Sequence, residues 1–179
     1  MACLLRTYHE AVADFRPPPG CDEWSAELAD PGPAEVVCHG DVCPENVVFR
    51  GGEAVALLDF DFAAPGRRLW DVVATAAMWV PIEAPEWRRA HPPGLDAVAR
   101  TAVFADAYGL SGSDRRDFVA VLSQRYTVGR NFVRRRVAAG EPAFERMVAE
   151  LGAEERWAAT DRWLALESPK LVRALGCVS

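Results

Sequence analysis

The sequence predicts an α+β fold, mostly α, with one small β-hairpin set inside a helical body. Three observations predict it. Apolar residues at helical spacing open the chain. Two short runs of strand-forming residues flank Gly51-Gly52. From Leu95 onward the pattern is helical throughout.

Leu4, Leu5, Tyr8, Ala11, Val12 and Phe15 put one apolar face on a helix over 3–15. Pro17-Pro18-Pro19-Gly20 stops it. Residues 22–33 read as a short helical turn and a loop closed by Pro31-Gly32-Pro33. A short buried strand over 35–38 leads into His39-Gly40-Asp41. A second strand over 46–50 turns through Gly51-Gly52, which accepts positive φ at both positions, and returns over 54–60. Ala63-Ala64-Pro65-Gly66 reads as a loop, and the apolar run from Leu69 to Val80 as a mostly buried helix. Pro81, Pro85, Pro92 and Pro93 mark an irregular connection with one turn around 86–89. Helices are then expected over about 95–108, 114–138, 142–151, 153–166 and 168–176. Ser113 and Ser168 read as N-caps, the second followed by proline, and Gly109 and Gly140 as stops. The result is a single domain over 1–179: a leading helix and loop (1–35), a loop and hairpin (36–62), and a helical remainder (63–179).

A chain of 179 residues can bury one core. A net charge of −6 argues against a nucleic-acid partner, which needs a basic face, and suits an amine-bearing one. No apolar run approaches the ~20 residues of a membrane helix, and no secretion signal is visible. The five cysteines lack zinc-ligand spacing. A cytoplasmic chain with reduced thiols, touching no membrane, is therefore expected. Cys38 and Cys43 read as small buried fillers.

Three polar residues interrupt the apolar strand-type run from Val36 to Asp61: Asp41, Asn46 and Asp59. Burying such groups unpartnered is unfavourable, so they require a ligand or a network. A tight hairpin brings its outer ends together, so Asn46 and Asp59 can face one cavity. A carboxylate near an acceptor hydroxyl, followed by an amide and a carboxylate that hold magnesium, are the parts phosphoryl transfer needs. The spacing Asp41-x-x-x-x-Asn46 and a later Asp before Phe match the protein-kinase catalytic pattern.

His39-Gly40-Asp41-Val42-Cys43-Pro44-Glu45-Asn46-Val47-Val48-Phe49, followed by Leu57-Leu58-Asp59-Phe60-Asp61, resembles the aminoglycoside phosphotransferase family, a kinase-like group that includes choline and homoserine kinases. Arg68-Leu69-Trp70-Asp71-Val72 resembles the helix start that follows in that family. The close match spans roughly 36–80. The resemblance implies a protein-kinase-like C-terminal lobe that transfers the γ-phosphate of ATP to a small-molecule hydroxyl with Mg2+. It implies Asp41 as the catalytic carboxylate and Asn46 and Asp59 as magnesium ligands. It implies His39 as an internal support of the loop and Asp71 as its anchor through backbone hydrogen bonds. Asp61 is implied either behind the metal or facing substrate.

The nucleotide-binding N-terminal lobe of such a kinase is absent from the sequence. Only 38 residues precede His39, and they contain no lysine; Lys170, in a helix, is the chain's one lysine. No glycine-rich phosphate loop occurs. Three explanations stay open: a truncated start, a lobe supplied by another chain or by a homodimer, or a relative that binds a ligand without transferring phosphate. A magnesium-dependent phosphohydrolase is a further alternative. For the acceptor, Glu141 and Glu145 are candidate contacts to an amine, with a solvated helix face as their ordinary reading. The run Arg130, Arg134, Arg135, Arg136 is a candidate anion site or a helix C-terminal bias.

Overall fold

The computed structural model describes residues 1–16, 20, 23–88, 91–92 and 94–176. The chain is mostly helical, with two small antiparallel sheets. Helix α1 (Ala2–Ala11) is followed by strand β1 (Val36–Cys38), strands β2 (Val47–Arg50) and β3 (Glu53–Leu57), and strand β4 (Ala64–Gly66). Five helices complete it: α2 (Arg68–Trp79), α3 (Ala97–Tyr108), α4 (Gly112–Ala138), α5 (Pro142–Leu151) and α6 (Ala153–Ala174). Single 3-10 turns lie at Pro44–Asn46 and Pro85–Trp87.

Helix α2 is the centre of the core. Leu69, Trp70, Val72, Val73 and Ala76 are all buried, and the helix packs on α4. Its two tryptophans also bind backbone at a distance. Trp70 Nε1 donates to Leu28 O at 2.9 Å, and Trp79 Nε1 donates to Val42 O at 2.8 Å. The apolar stripe therefore fixes the loops on either side of it as well as filling space.

Strands β2 and β3 form the hairpin, with Val47 opposite Leu57 and a register irregularity at Val48/Phe49. Gly51 and Gly52, at φ of 60° and 85°, make the turn. Strand β3 ends at Leu57, short of the expected 60, because Asp59 turns the chain out of extended geometry. The segment expected as a loop at 63–66 contains β4, paired antiparallel to β1 with Val36 opposite Gly66. Pro65 has no N–H to offer, which makes β4 poor by sequence and possible only at an edge. The connection is pinned by Asp30, whose carboxylate takes two side-chain hydrogen bonds from Arg67, each 2.7 Å, and one from Arg67 N. Burial alone disfavours that charge, yet the Arg67 guanidinium holds the Asp30 carboxyl below its usual range.

The helical remainder differs from expectation in three places. Helix α4 is capped by Ser111, which accepts from Asp114 N, instead of Ser113. Asp96 caps α3, accepting from Val98 N and Ala99 N. Helix α6 runs unbroken through Ser168-Pro169 where two helices were expected. Leu164 and Leu171, on either side of the proline, are both buried, so packing keeps the axis continuous through it. Residues 23–33 contain bends and no helical turn, and α1 ends at Ala11 instead of Phe15. Expectations for Pro17–Pro19, Arg89 and Pro93 fall outside the described residues. Among the described residues, no helix is long and apolar enough to cross a membrane.

Candidate active site

The segment 39–46 is held from beneath by a wholly buried carboxylate. Asp71, on the first turn of α2, accepts from His39 N at 2.7 Å, from Gly40 N at 3.0 Å and from His9 Nε2 at 3.0 Å. His9 Nδ1 lies 2.7 Å from the Tyr108 hydroxyl. One carboxylate thus ties α1, α3 and the loop to α2. Burial opposes its charge, but the hydrogen bonds from His9, His39 N and Gly40 N outweigh that, and the Asp71 carboxyl sits below its ordinary range.

Gly40 lies at φ of 84°, and a Cβ there would come within 2.5 Å of Phe62 O. Only glycine lets the loop pass the end of the hairpin this closely. His39 is buried: its Nε2–H donates to Leu58 O at 2.9 Å and its Nδ1 accepts from Asp41 N at 3.3 Å. The ring also stacks at a tilt on Phe60, with centroids 4.4 Å apart. It joins the loop to the far end of the hairpin.

Asp41 is partly buried on the loop. Asn46 Nδ2 donates to Asp41 O at 2.9 Å and to Asp41 Oδ2 at 3.2 Å. Leu58 N donates to Asn46 O at 2.9 Å, which brings the Asp59 end of the hairpin to Asn46. Burial raises the Asp41 carboxyl above its usual range; Arg125 and the bond from Asn46 offset this in part, while the Asp59 charge adds to it. Asp41, Asn46 and Asp59 therefore converge.

Asp59 has φ of 61° and is the one non-glycine with positive φ among the described residues. Among the described residues its carboxylate accepts only a long bond, 3.4 Å, from Asp61 N. A strained backbone that presents an under-used carboxylate is a feature of ligand sites. Asp59→Gly is expected to leave stability unchanged or higher by about 0.5 kcal/mol, whereas Asp59→Ala lowers it by about 1 kcal/mol. Denaturant midpoints of the two variants check this. Asp61 is exposed and lines a different, smaller cavity of about 460 Å3 with Tyr8, Trp24 and Phe60. Its link to the Asp41 group is the bond from its backbone N to the Asp59 carboxylate.

Asp41 opens onto a cavity of about 530 Å3 bounded by α2, α4, α5 and α6. Arg125 of α4 lines it, and its Nη2 donates to Gly40 O at 2.9 Å. Its side chain is largely buried, which pushes the guanidinium below its ordinary range despite the nearby Asp71 and Asp41 charges. Arg125 went unrecognised in the sequence. Its signal was position: it shares the stripe Phe118, Leu122, Gly129, Phe132, where an arginine has no ordinary place.

The acceptor-side candidates lie elsewhere. Glu141 precedes α5 and pairs with Arg136 at 2.9 Å; Glu145 is exposed; neither lines the cavity. The arginine run is largely occupied by ion pairs, with Arg134 on Glu154 and Arg135 and Arg136 on Glu27. Only Arg130 of that run reaches the cavity, and it pairs with Asp161.

The donor set fits a magnesium ion with few protein ligands. Turning the Asn46 amide nitrogen to Asp41 leaves its oxygen for another partner, and Asp59 adds a carboxylate. Hard oxygen donors in this number suit magnesium, which keeps waters and shares phosphate oxygens. Among the described residues, no three His, Cys, Asp or Glu side chains form a metal cluster of their own. A nucleotide fits less well. Lys170, the one lysine, lies on α6 and pairs with Glu167, so it supplies no charge here.

Over 122 residues the chain is 33% identical to the trifolitoxin immunity protein of Rhizobium leguminosarum bv. trifolii, covering 65% of this chain and 46% of that protein. Over 86 residues it is 28% identical to homoserine kinase of Zymomonas mobilis subsp. mobilis strain ATCC 31821, covering 48% of this chain and 25% of that enzyme. The chain thus spans less than half the length of these curated relatives. No solved structure matches. The family model for the phosphotransferase enzyme family matches residues 4–103, which include most of α1, the 39–46 loop, the hairpin and α2 with Asp71. On that match the chain belongs to the phosphotransferase enzyme family.

Proposed function

We propose that this chain is the acceptor- and metal-holding half of an ATP-dependent phosphotransferase acting on a small-molecule hydroxyl, folded like the C-terminal lobe of a protein kinase. The observation that carries the reading is the convergence of Asp41, Asn46 and Asp59 on a loop clamped by Asp71. Asp41 takes the hydrogen bond of the acceptor hydroxyl and, with its carboxyl held above its usual range by burial, is suited to receive that proton. Asn46 fixes the Asp41 rotamer through its amide nitrogen. Asn46 Oδ1 and the Asp59 carboxylate hold Mg2+, which when bound neutralises charge on phosphate oxygens. Lys170, far along α6 and paired with Glu167, supplies no charge to the nucleotide phosphates. The exposed apolar side chains Phe49, Val55 and Leu58 on and beside the hairpin give a second lobe, or a second copy of the chain, a face to cover.

Calorimetric titration with pyrophosphate, in the presence and absence of Mg2+, tests this. Saturable binding that requires the metal and is lost in Asp59→Ala is expected. Absence of any metal-dependent heat contradicts it. The likeness to an immunity protein favours a second reading, a module that binds a ligand without transferring phosphate. Under that reading Asp41→Asn leaves ligand binding intact and no phosphorylated product forms.

A further inference from the structure

The cavity beside Asp41 is walled mostly by apolar side chains, among them Phe62, Phe132, Phe144, Met147 and Trp157. Besides Asp41, its charged residues are Glu83, Arg125, Arg130 and Arg156. Three of these four are neutralised in place. Arg156 donates through Nε and Nη2 to Glu83 Oε2, at 2.7 and 2.6 Å. Arg130 donates to Asp161 Oδ2 at 2.6 Å and to Trp157 O at 3.4 Å.

Arg125 is different. Its Nη2 is taken by a neutral carbonyl, Gly40 O, and its Nε is buried without a partner among the described residues. Trp70 lies against the guanidinium, 5.8 Å from ring centroid to Cζ. No carboxylate hydrogen-bonds to this guanidinium among the described residues, so its charge is the least matched of the cavity's arginines and an anion suits it best. An amine, by contrast, finds no free carboxylate among the described residues of this cavity apart from Asp41, since Glu83 is already matched by Arg156. A polycationic acceptor is therefore poorly matched. The carbonyl that Arg125 touches belongs to the residue before Asp41, so an anion on Arg125 and a hydroxyl on Asp41 lie close together in one ligand.

We propose that the acceptor is an apolar hydroxy acid, its carboxylate on Arg125, its nearby hydroxyl at Asp41 and its hydrocarbon or aromatic body against Trp157 and the phenylalanines. Placement of the hydroxyl rests on the function proposed above; placement of the carboxylate rests on Arg125 alone. The cavity holds a body of about ten carbons, and burial of that body supplies most of the affinity.

The test is calorimetry on the full chain without nucleotide, using 3-hydroxydecanoate, its cationic counterpart 1-amino-2-decanol, and decanoate, which lacks the hydroxyl. The wild type is expected to bind 3-hydroxydecanoate roughly 10- to 100-fold more tightly than the amine, the range of a buried charge-assisted hydrogen bond. Arg125→Met is expected to reduce that preference to about threefold or less, and Arg125→Lys to restore part of it. The wild-type comparison needs no variant to fold. Tighter binding of the amine, no binding of either compound, or an undiminished preference in a folded Arg125→Met protein overturns the proposal. Loss of pyrophosphate binding in Arg125→Met with hydroxy-acid preference unchanged also overturns it, assigning Arg125 to the nucleotide side. Failure of the reading beneath shows separately: 3-hydroxydecanoate and decanoate then bind alike, and Asp41→Ala leaves both unchanged.

Discussion

Replacing Asp71 with alanine is expected to destabilise the protein by about 3–5 kcal/mol, enough to unfold a domain of ordinary marginal stability. Asp71 is fully buried and satisfies three donors at once: His39 N, Gly40 N and His9 Nε2. Alanine leaves all three unpaired inside the core, where each orphaned donor is penalised. Asp71→Asn keeps the volume but loses the charge and turns an N–H toward one donor, so about half the loss is expected. Urea denaturation followed by tryptophan fluorescence measures both. The pH dependence has a definite sign. The folded-state Asp71 carboxyl is below its ordinary value, so its contribution is present above the unfolded carboxylate range and lost as pH falls through the folded value. Wild type and Asp71→Asn should therefore converge in stability in acid and diverge toward neutrality.

Asp41→Asn is expected to act in the opposite sense on stability and to abolish function. Under the proposed function the carboxylate lost is the one that would take the acceptor proton, and transfer should fall by about 10²–10⁴-fold. The folded-state Asp41 carboxyl is raised, chiefly by burial, so its ionisation opposes folding. What this group contributes is present below the unfolded carboxylate range and lost as pH rises through the folded value. Asp41→Asn should thus be more stable than wild type near neutrality, with the difference closing below about pH 4. A variant that is inactive yet sturdier separates a functional carboxylate from a structural one. Asp71 and Asp41 lie close in space and answer this test with opposite signs.

Much of this was legible because it was local. The stripe Leu69, Trp70, Val72, Val73, Ala76 could only be a buried helix, and Gly51-Gly52 between two strand-like runs could only be a hairpin. The polar trio Asp41, Asn46 and Asp59 stood out against apolar neighbours for the same reason. What escaped was decided at long range. Strand β4 contains Pro65, and its pairing with β1 goes with the long-range bonds from Arg67, just after it, to Asp30. Pro169 reads as a helix start, yet buried Leu164 and Leu171 carry α6 through it. Arg125 looks like one of many arginines on a long helix until the fold sets it against Gly40 O. Glu141 and Glu145 looked available for an amine, but α5 turns them away from the cavity. Periodicity finds elements, while the identity of a ligand depends on which charges remain unmatched after packing.

The most direct measurement is the relaxation of backbone and side-chain amide signals by Mn2+, a paramagnetic substitute for Mg2+. One saturable site is expected, broadening the Asn46 side-chain amide and the backbone signals of residues 58–61 first, with the effect lost in Asp59→Gly although that variant stays folded. Broadening centred elsewhere, or an undiminished effect in Asp59→Gly, would contradict a metal site built from Asn46 and Asp59 beside Asp41.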